Sequence, residues 1–197
     1  GAILNPGSRF FDIRIGQSVT LTGRSITRHM GSKTNEIITG TYNYKGDSII
    51  YGDTDSVYFT AFPSLTEEIE SGEVDWNNES AIALYDQIAD AVNDSFPEYM
   101  RESHNVLEER GVIIKAGREL VASKGIFITK KRYAVLIYDL EGNRLDVNGY
   151  TGKVKAMGLD LKRSDTPKFM QDFLTEILKS LLEGSTKDEI FSRIKQF

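Results

Sequence analysis

Apolar and polar positions recur with two different periods along this 197-residue chain, and the period assigns most of the elements. Over residues 80–100, Ile82, Tyr85, Ile88, Ala89, Val92 and Phe96 return at three- and four-residue spacing, which predicts an amphipathic helix with one buried stripe. Residues 16–30 place Val19, Ile26 and Met30 at roughly helical spacing, a signal weakened by Gly23. A third helix is expected to open at Thr166-Pro167, with Pro in the first helical position, to bury Phe169, Phe173, Ile177, Leu178 and Leu181, and to end at Gly184. Ser185 with Asp188, or Thr186 with Glu189, offers a capping box for a last short helix.

Two stretches follow the other period. The turn-rich residues 43–47 lead into Ser48-Ile49-Ile50-Tyr51, then Gly52-Asp53-Thr54-Asp55-Ser56, then Val57-Tyr58-Phe59. Two β-rich runs around a short polar Gly/Asp segment predict a hairpin with the acids at its tip. After a short apolar run at residues 112–114, residues 125–138 contain Tyr133-Ala134-Val135-Leu136-Ile137-Tyr138, apolar on both faces and hence expected as a buried central strand. Glu141-Gly142-Asn143 fits the hairpin turn after it. No repeat or low-complexity linker interrupts the chain. The order helix, hairpin, helix, strands, helices implies an α+β fold.

Composition narrows the classes. There are no cysteines, which excludes disulfide scaffolds, thiolate metal sites and cysteine nucleophiles. No apolar run approaches the roughly 20 residues that span a bilayer, and no signal-peptide layout opens the chain, so a soluble cytoplasmic protein with no membrane partner is expected. Residue 1 is Gly rather than Met, as at a processed end or a cut inside a longer protein. The net charge of -5 argues weakly against nucleic acid, yet the average conceals a split. Residues 67–102 hold eleven acids and one basic residue, Arg101, whereas residues 124–168 hold ten Lys/Arg against five Asp/Glu. Part of the molecule is therefore basic although the whole is not.

Asp53 and Asp55, one residue apart at a hairpin tip, would repel each other unless a cation sat between them. Hard ions such as Mg²⁺ suit them, because such ions bind through one or two carboxylates and complete their shell with water and phosphate oxygens. Two-metal phosphoryl transfer uses that layout. As a bare pattern Asp-x-Asp is more often a solvated turn, and a glycosyltransferase-type Asp-x-Asp is an enzymatic alternative. A calcium loop would need a third oxygen ligand near Val57 and a glycine after it, and neither is present. Lys130, Lys131 and Arg132, at the start of the expected strand, give positive charge suited to a duplex backbone or to a solvated strand end. Tyr133 could offer its hydroxyl to a minor-groove edge or pack in the sheet. Lys155 and Lys168 are candidate phosphate contacts. His29 and His104 lie far apart without carboxylates around them and are read as structural.

The string Tyr51-Gly52-Asp53-Thr54-Asp55-Ser56 resembles motif C of family B DNA polymerases letter for letter. Thr129-Lys130-Lys131-Arg132-Tyr133 resembles the family's KKRY segment. Lys155-Ala156-Met157-Gly158, with Ser164-Asp165-Thr166-Pro167-Lys168 after it, is similar to the palm-to-thumb junction of tailed-bacteriophage replicative polymerases. The resemblance implies a palm of antiparallel sheet backed by helices with a partial helical thumb: the end of the fingers at residues 1–40, the palm at 41–155 and the start of the thumb at 156–197. It further implies DNA-directed nucleotidyl transfer by a two-metal mechanism. Asp53 and Asp55 are then the catalytic ligands of two Mg²⁺ ions, replaceable by Mn²⁺, with Glu119 as an auxiliary carboxylate. Lys130, Lys131, Arg132, Tyr133, Lys155 and Lys168 would contact primer-template DNA. Deoxynucleoside triphosphates would be the substrates, and the setting the host cytoplasm if a phage encodes the chain.

The resemblance also sets expectations about what these residues lack. The family's motif A aspartate and nucleotide-binding lysine are not in the sequence, and Gly1-Ala2 looks like the tail of the motif that carries that lysine. The chain alone is therefore expected not to polymerise DNA, and to self-associate or take a complementary polymerase fragment along an unpaired apolar sheet edge. A non-catalytic DNA-binding remnant is the alternative.

Overall fold

The structure, a computed structural model, describes residues 2–159, 161 and 165–196; Gly1 and Ser164, which belong to two of the motifs above, lie outside the described residues. The chain is α+β and divides into two compact units, Gly1–Gly117 and Arg118–Phe197.

The first unit is built on two long helices, α1 (Ile13–Thr39) and α3 (Asn78–His104). Helix α1 is longer than its spacing predicts at both ends. Asp12 caps it, accepting from the backbone N–H of Arg14 at 2.8 Å and Ile15 at 3.2 Å, and Gly40 closes it at φ 77°. A β-carbon at Gly23 would meet nothing within 4 Å, so that glycine costs propensity but no packing. Helix α3 begins at a capping box between Asn77 and Ser80 and buries Ala81, Ile88, Val92, Phe96 and Met100; of the stripe its periodicity predicts, Ile88, Val92 and Phe96 are buried while Ile82, Tyr85 and Ala89 are half-buried. Between the helices lie the hairpin β1 (Ile49–Gly52) and β2 (Val57–Phe59), a 3-10 turn at Phe62–Leu65 and the short helix α2 (Thr66–Ser71). A one-turn helix, α4 (Glu108–Gly111), follows α3. Phe59 meets Tyr85 edge-on at 5.5 Å, tying the hairpin to α3.

The buried face of α1 is polar. Thr27, His29, Ser32, Thr34 and Asn35 are all buried on it. No buried side-chain N or O among the described residues lacks a hydrogen bond, so this face is specified by pairing rather than by apolar contact.

In the second unit β3 (Leu120–Thr129), β4 (Arg132–Leu140), β5 (Asn143–Arg144) and β6 (Lys153–Met157) form an antiparallel sheet in which β4 pairs with all three others. Residues 133–139 are buried throughout, as a central strand covered on both faces requires. The expected strand is β4, and it forms the second arm of a hairpin over residues 120–140 that turns at Lys130-Lys131 with Thr129 opposite Arg132. Lys131 takes a left-handed φ of 61°, a conformation its side chain does not advertise. The turn after β4 has Glu141 at φ 50° and Gly142 at φ 82°, both left-handed as a tight hairpin demands.

Helix α5 (Lys168–Glu183) starts one residue later than expected, with Pro167 as its N-cap, and ends at Gly184 in the left-handed region at φ 94°. Its expected stripe is only partly right. Leu178 and Leu182 pack on Ala134 and Leu136 of β4, but Phe169 is 62% and Leu181 46% exposed. Helix α6 (Lys187–Gln196) uses the second of the two capping boxes, with the Thr186 N–H donating to Glu189 Oε2 at 2.8 Å.

Candidate active-site hairpin and basic turn

Residues Tyr51, Gly52, Asp53, Thr54, Asp55 and Ser56 lie on one hairpin of the first unit. The register sets Tyr51 opposite Tyr58 and Gly52 opposite Val57, with an irregularity between Ile49 and Tyr51. The Asp53 N–H donates to the Ser56 carbonyl at 2.9 Å, closing the loop that carries both carboxylates. Asp53 is half-buried and oriented from its own loop: Oδ1 accepts from the Thr54 N–H at 2.9 Å and the Thr54 hydroxyl at 3.3 Å, while the Tyr51 hydroxyl lies 3.5 Å from Oδ2. Asp55 is exposed. The loop is also held from beneath, because the buried Thr27 hydroxyl of α1 lies 2.9 Å from the Thr54 carbonyl and 3.0 Å from the Gly23 carbonyl of its own helix, its one proton shared between them. Nothing in the spacing of the sequence announces that contact, since a mid-helix threonine is ordinarily satisfied by its own helix.

A divalent cation fits this arrangement as a partial site. Among the described residues there is no group of three or more His, Cys, Asp or Glu side chains that could hold a metal ion. Two loop carboxylates nonetheless match the chemistry of Mg²⁺, which takes one or two carboxylates and fills its octahedron with water and phosphate oxygens.

The remaining candidates lie in the second unit. Lys130, Lys131 and Arg132 are exposed where the β3–β4 turn leads into β4, so they stand at the start of that strand, as expected, and project from the turn. Tyr133 is 4% exposed and stacks on Phe127 at 5.5 Å, so its ring packs in the sheet and anchors the turn. Gly158 touches the same turn. Its carbonyl accepts from Arg132 Nε at 3.2 Å, and it sits at φ 64°, where a β-carbon would lie 2.1 Å from the Lys131 carbonyl oxygen. Lys155, opposite Val135 on β6, donates to Glu119 Oε1 at 2.5 Å. Lys168 opens α5 and is exposed. Beside them, Arg118 pairs with Asp139, which is 2% exposed and also accepts from the Gly142 N–H at 3.1 Å. That buried ion pair fixes the start of β3 to the end of β4, and no spacing of residues signals it.

The two histidines are structural in their contacts. His29 Nε2 lies 2.9 Å from the Ser95 hydroxyl and Nδ1 2.8 Å from the Tyr42 hydroxyl, with the ring stacked on Tyr99 at 3.8 Å. Ser95 donates its own proton to the Val92 carbonyl at 2.6 Å, so it accepts from Nε2–H and leaves Nδ1 to accept from Tyr42. Burial, reinforced by the Lys33 charge, lowers the His29 pKa from 6.5 to about 4, which keeps it neutral. His104 Nε2 meets the Ser25 hydroxyl at 2.8 Å.

No family model matches the chain. Individual relatives do. The DNA-directed DNA polymerase of Escherichia phage RB69 is 30% identical over 193 residues, covering 93% of this chain and 21% of the relative. The DNA-directed DNA polymerase of Enterobacteria phage T4 is 26% identical over 196 residues, covering 93% and 21%. DNA polymerase 037L of Invertebrate iridescent virus 6 is 25% identical over 186 residues, covering 92% of this chain and 13% of its own. The chain thus spans about a fifth of the length of the two phage relatives. No helix among the described residues is long and apolar enough to cross a membrane. Along almost its entire length the chain is similar to segments of viral proteins named DNA-directed DNA polymerase or DNA polymerase, in agreement with the family B resemblance of its motifs.

Proposed function

We propose that the chain supplies the carboxylate hairpin and duplex-contacting turn of a DNA-directed DNA polymerase, transferring nucleotides with two divalent cations. The observation that carries this reading is the closed loop presenting Asp53 and Asp55 inside a YGDTDS string, on a chain whose relatives are named DNA polymerases. In this reading residues 1–40 end the fingers, 41–155 form the palm and 156–197 begin the thumb.

Asp53 and Asp55 would hold Mg²⁺, or Mn²⁺ in its place. When bound there, such ions would supply activation of the primer hydroxyl and charge neutralisation at the leaving pyrophosphate. The chain's own residues do the rest. Tyr51 and Thr54 orient the Asp53 carboxylate, and Thr27 holds the loop down. Lys130, Lys131 and Arg132 bind the primer-template backbone without reading its sequence, and Lys155 and Lys168 add phosphate contacts. Tyr133 supports the turn from within the sheet. Glu119 is bound to Lys155 and serves as an auxiliary carboxylate only when a phosphate draws that lysine away or a cation displaces it.

A third carboxylate and a triphosphate-binding lysine would come from a complementary polymerase segment. The two-stranded sheet of β1 and β2, with Ile50 47% exposed, supports association along its edge with such a segment or with a second copy. The setting would be the cytoplasm of a host cell.

Primer extension tests the reading, with Mg²⁺ or Mn²⁺, on a primed template. The chain alone should give none, and the chain mixed with a segment carrying motif A and the nucleotide-binding lysine should extend. Asp53→Ala or Asp55→Ala should abolish that activity, by at least the 10²-fold typical of removing a group that stabilises transition-state charge. Extension that survives both substitutions would sink the catalytic assignment. Salt-sensitive duplex binding without any extension would leave a non-catalytic DNA-binding protein.

A further inference from the structure

Tyr44 lies in neither the motifs nor the basic turn, yet two glycines are shaped around it. A β-carbon on Gly31 of α1 would come within 2.7 and 2.9 Å of Cδ2 and Cε2 of the Tyr44 ring. A β-carbon on Gly52 of β1 would lie 2.2 Å from the Tyr44 hydroxyl and 3.3 Å from Cζ. Neither glycine has a positive φ, so the backbone does not demand glycine at either position. The ring does. Its edge rests on the bare backbone of α1, and its hydroxyl end rests on the bare backbone of the residue before Asp53.

We infer that Tyr44 is the positioning residue of the carboxylate loop, a wedge between Gly31 and Gly52 that sets the height of Asp53 and Asp55 above α1. The inference rests on reading those aspartates as cation ligands. The Thr27 hydroxyl, which pulls the Thr54 carbonyl towards α1, and the Tyr44 ring, which props β1, act in opposite senses on one loop. Together they over-determine its place, as a ligand-presenting loop needs from the residues behind it. The glycine of the motif is then required for lack of room rather than for backbone freedom.

The test uses the full ¹⁵N-labelled chain as wild type, Gly52→Ala, Tyr44→Phe and the double variant. The amide resonances of Asp53, Thr54 and Asp55 are read first, followed by their paramagnetic broadening on titration with Mn²⁺. Gly52→Ala should shift the three amides and raise the Mn²⁺ midpoint about 10-fold, as usual when support outside the ligands is disturbed. Adding Tyr44→Phe removes the atom at 2.2 Å and should return both readings most of the way to wild type. Gly31→Ala meets ring carbons instead, so Tyr44→Phe should not rescue it. If Gly52→Ala fails to fold, recovery of a folded chain in the double variant supports the wedge equally. A double variant as perturbed as Gly52→Ala overturns it. Rescue of the amide shifts with no Mn²⁺ broadening in any chain would uphold the wedge and overturn the cation reading.

Discussion

Asn35 shows how much one buried amide holds. It is 1% exposed, and its Nδ2 donates to the Thr39 hydroxyl at 2.9 Å and the Thr41 carbonyl at 2.8 Å while Oδ1 accepts from the Ser48 N–H at 3.2 Å. The end of α1, the loop after it and the entry to β1 therefore meet on a single side chain. Asn35→Ala leaves the Thr41 carbonyl and the Ser48 N–H without that partner and should cost roughly 2–4 kcal/mol, measured as a lower urea midpoint. A loss below about 0.5 kcal/mol would mean that water replaces the amide. His29 makes a second prediction, about pH. Its pKa falls from 6.5 to about 4 on folding, so the unfolded chain binds the extra proton between those values. The contribution of neutral His29 is whole above pH 6.5, declines as pH falls towards 4 and is flat below, about 3 kcal/mol in all. Lys33 and Glu36 on α1, Tyr42 in the following loop and Tyr99 on α3 face the ring or act on it, while Arg28 and Lys45 line the same cleft. Denaturant unfolding of wild type and His29→Gln at several pH values should show their difference shrinking from pH 7 to 4, and a constant difference would contradict it.

At the scale of elements, the turn that presents Lys130 and Lys131 depends on Gly158. Gly158→Ala combines a φ of 64° with a β-carbon 2.1 Å from the backbone oxygen of Lys131, an atom that cannot swing aside. The variant should lose about 2 kcal/mol or more and bind duplex DNA more weakly, read by thermal unfolding and fluorescence anisotropy. Unchanged stability would show that the turn yields. This element also marks where the sequence was legible and where it was not. The Asp53–Asp55 hairpin was readable because β-rich runs flank a Gly/Asp break, and α3 because its apolar residues keep helical spacing. The β3–β4 hairpin was not, because its turn is Lys-Lys, without the Gly, Asn or Asp that usually signals one. The extent of α1 was hidden for a related reason: its buried face is Thr27, His29, Ser32, Thr34 and Asn35, which a reading of hydropathy counts as solvent-facing. The site divides the same way. Its two carboxylates stood in a motif, whereas the hydrogen bond of Thr27 and the contacts of Tyr44 and Gly31 are encoded in no spacing.

Over the whole molecule the charge follows the division into units. Residues 1–117 carry nine Lys/Arg against 18 Asp/Glu, a net -9, and residues 118–197 carry 15 against 11, a net +4. The acidic unit carries the Asp53–Asp55 loop proposed to hold cations, and the basic unit carries the Lys130-Lys131 turn proposed to meet phosphates. Affinity for duplex DNA should therefore depend on where a charge is removed, not on how many remain. Lys130→Ala with Lys131→Ala, and Arg24→Ala with Arg28→Ala, each take two positive charges from the chain and leave the same net charge. Only the first pair should flatten the dependence of log affinity on log salt, by about 2, because each phosphate contact contributes a slope of about 0.9. The second pair should leave the slope where it was. Equal effects from the two pairs would mean that DNA responds to the charge of the chain as a whole, and the basic turn would lose its assignment as the duplex contact.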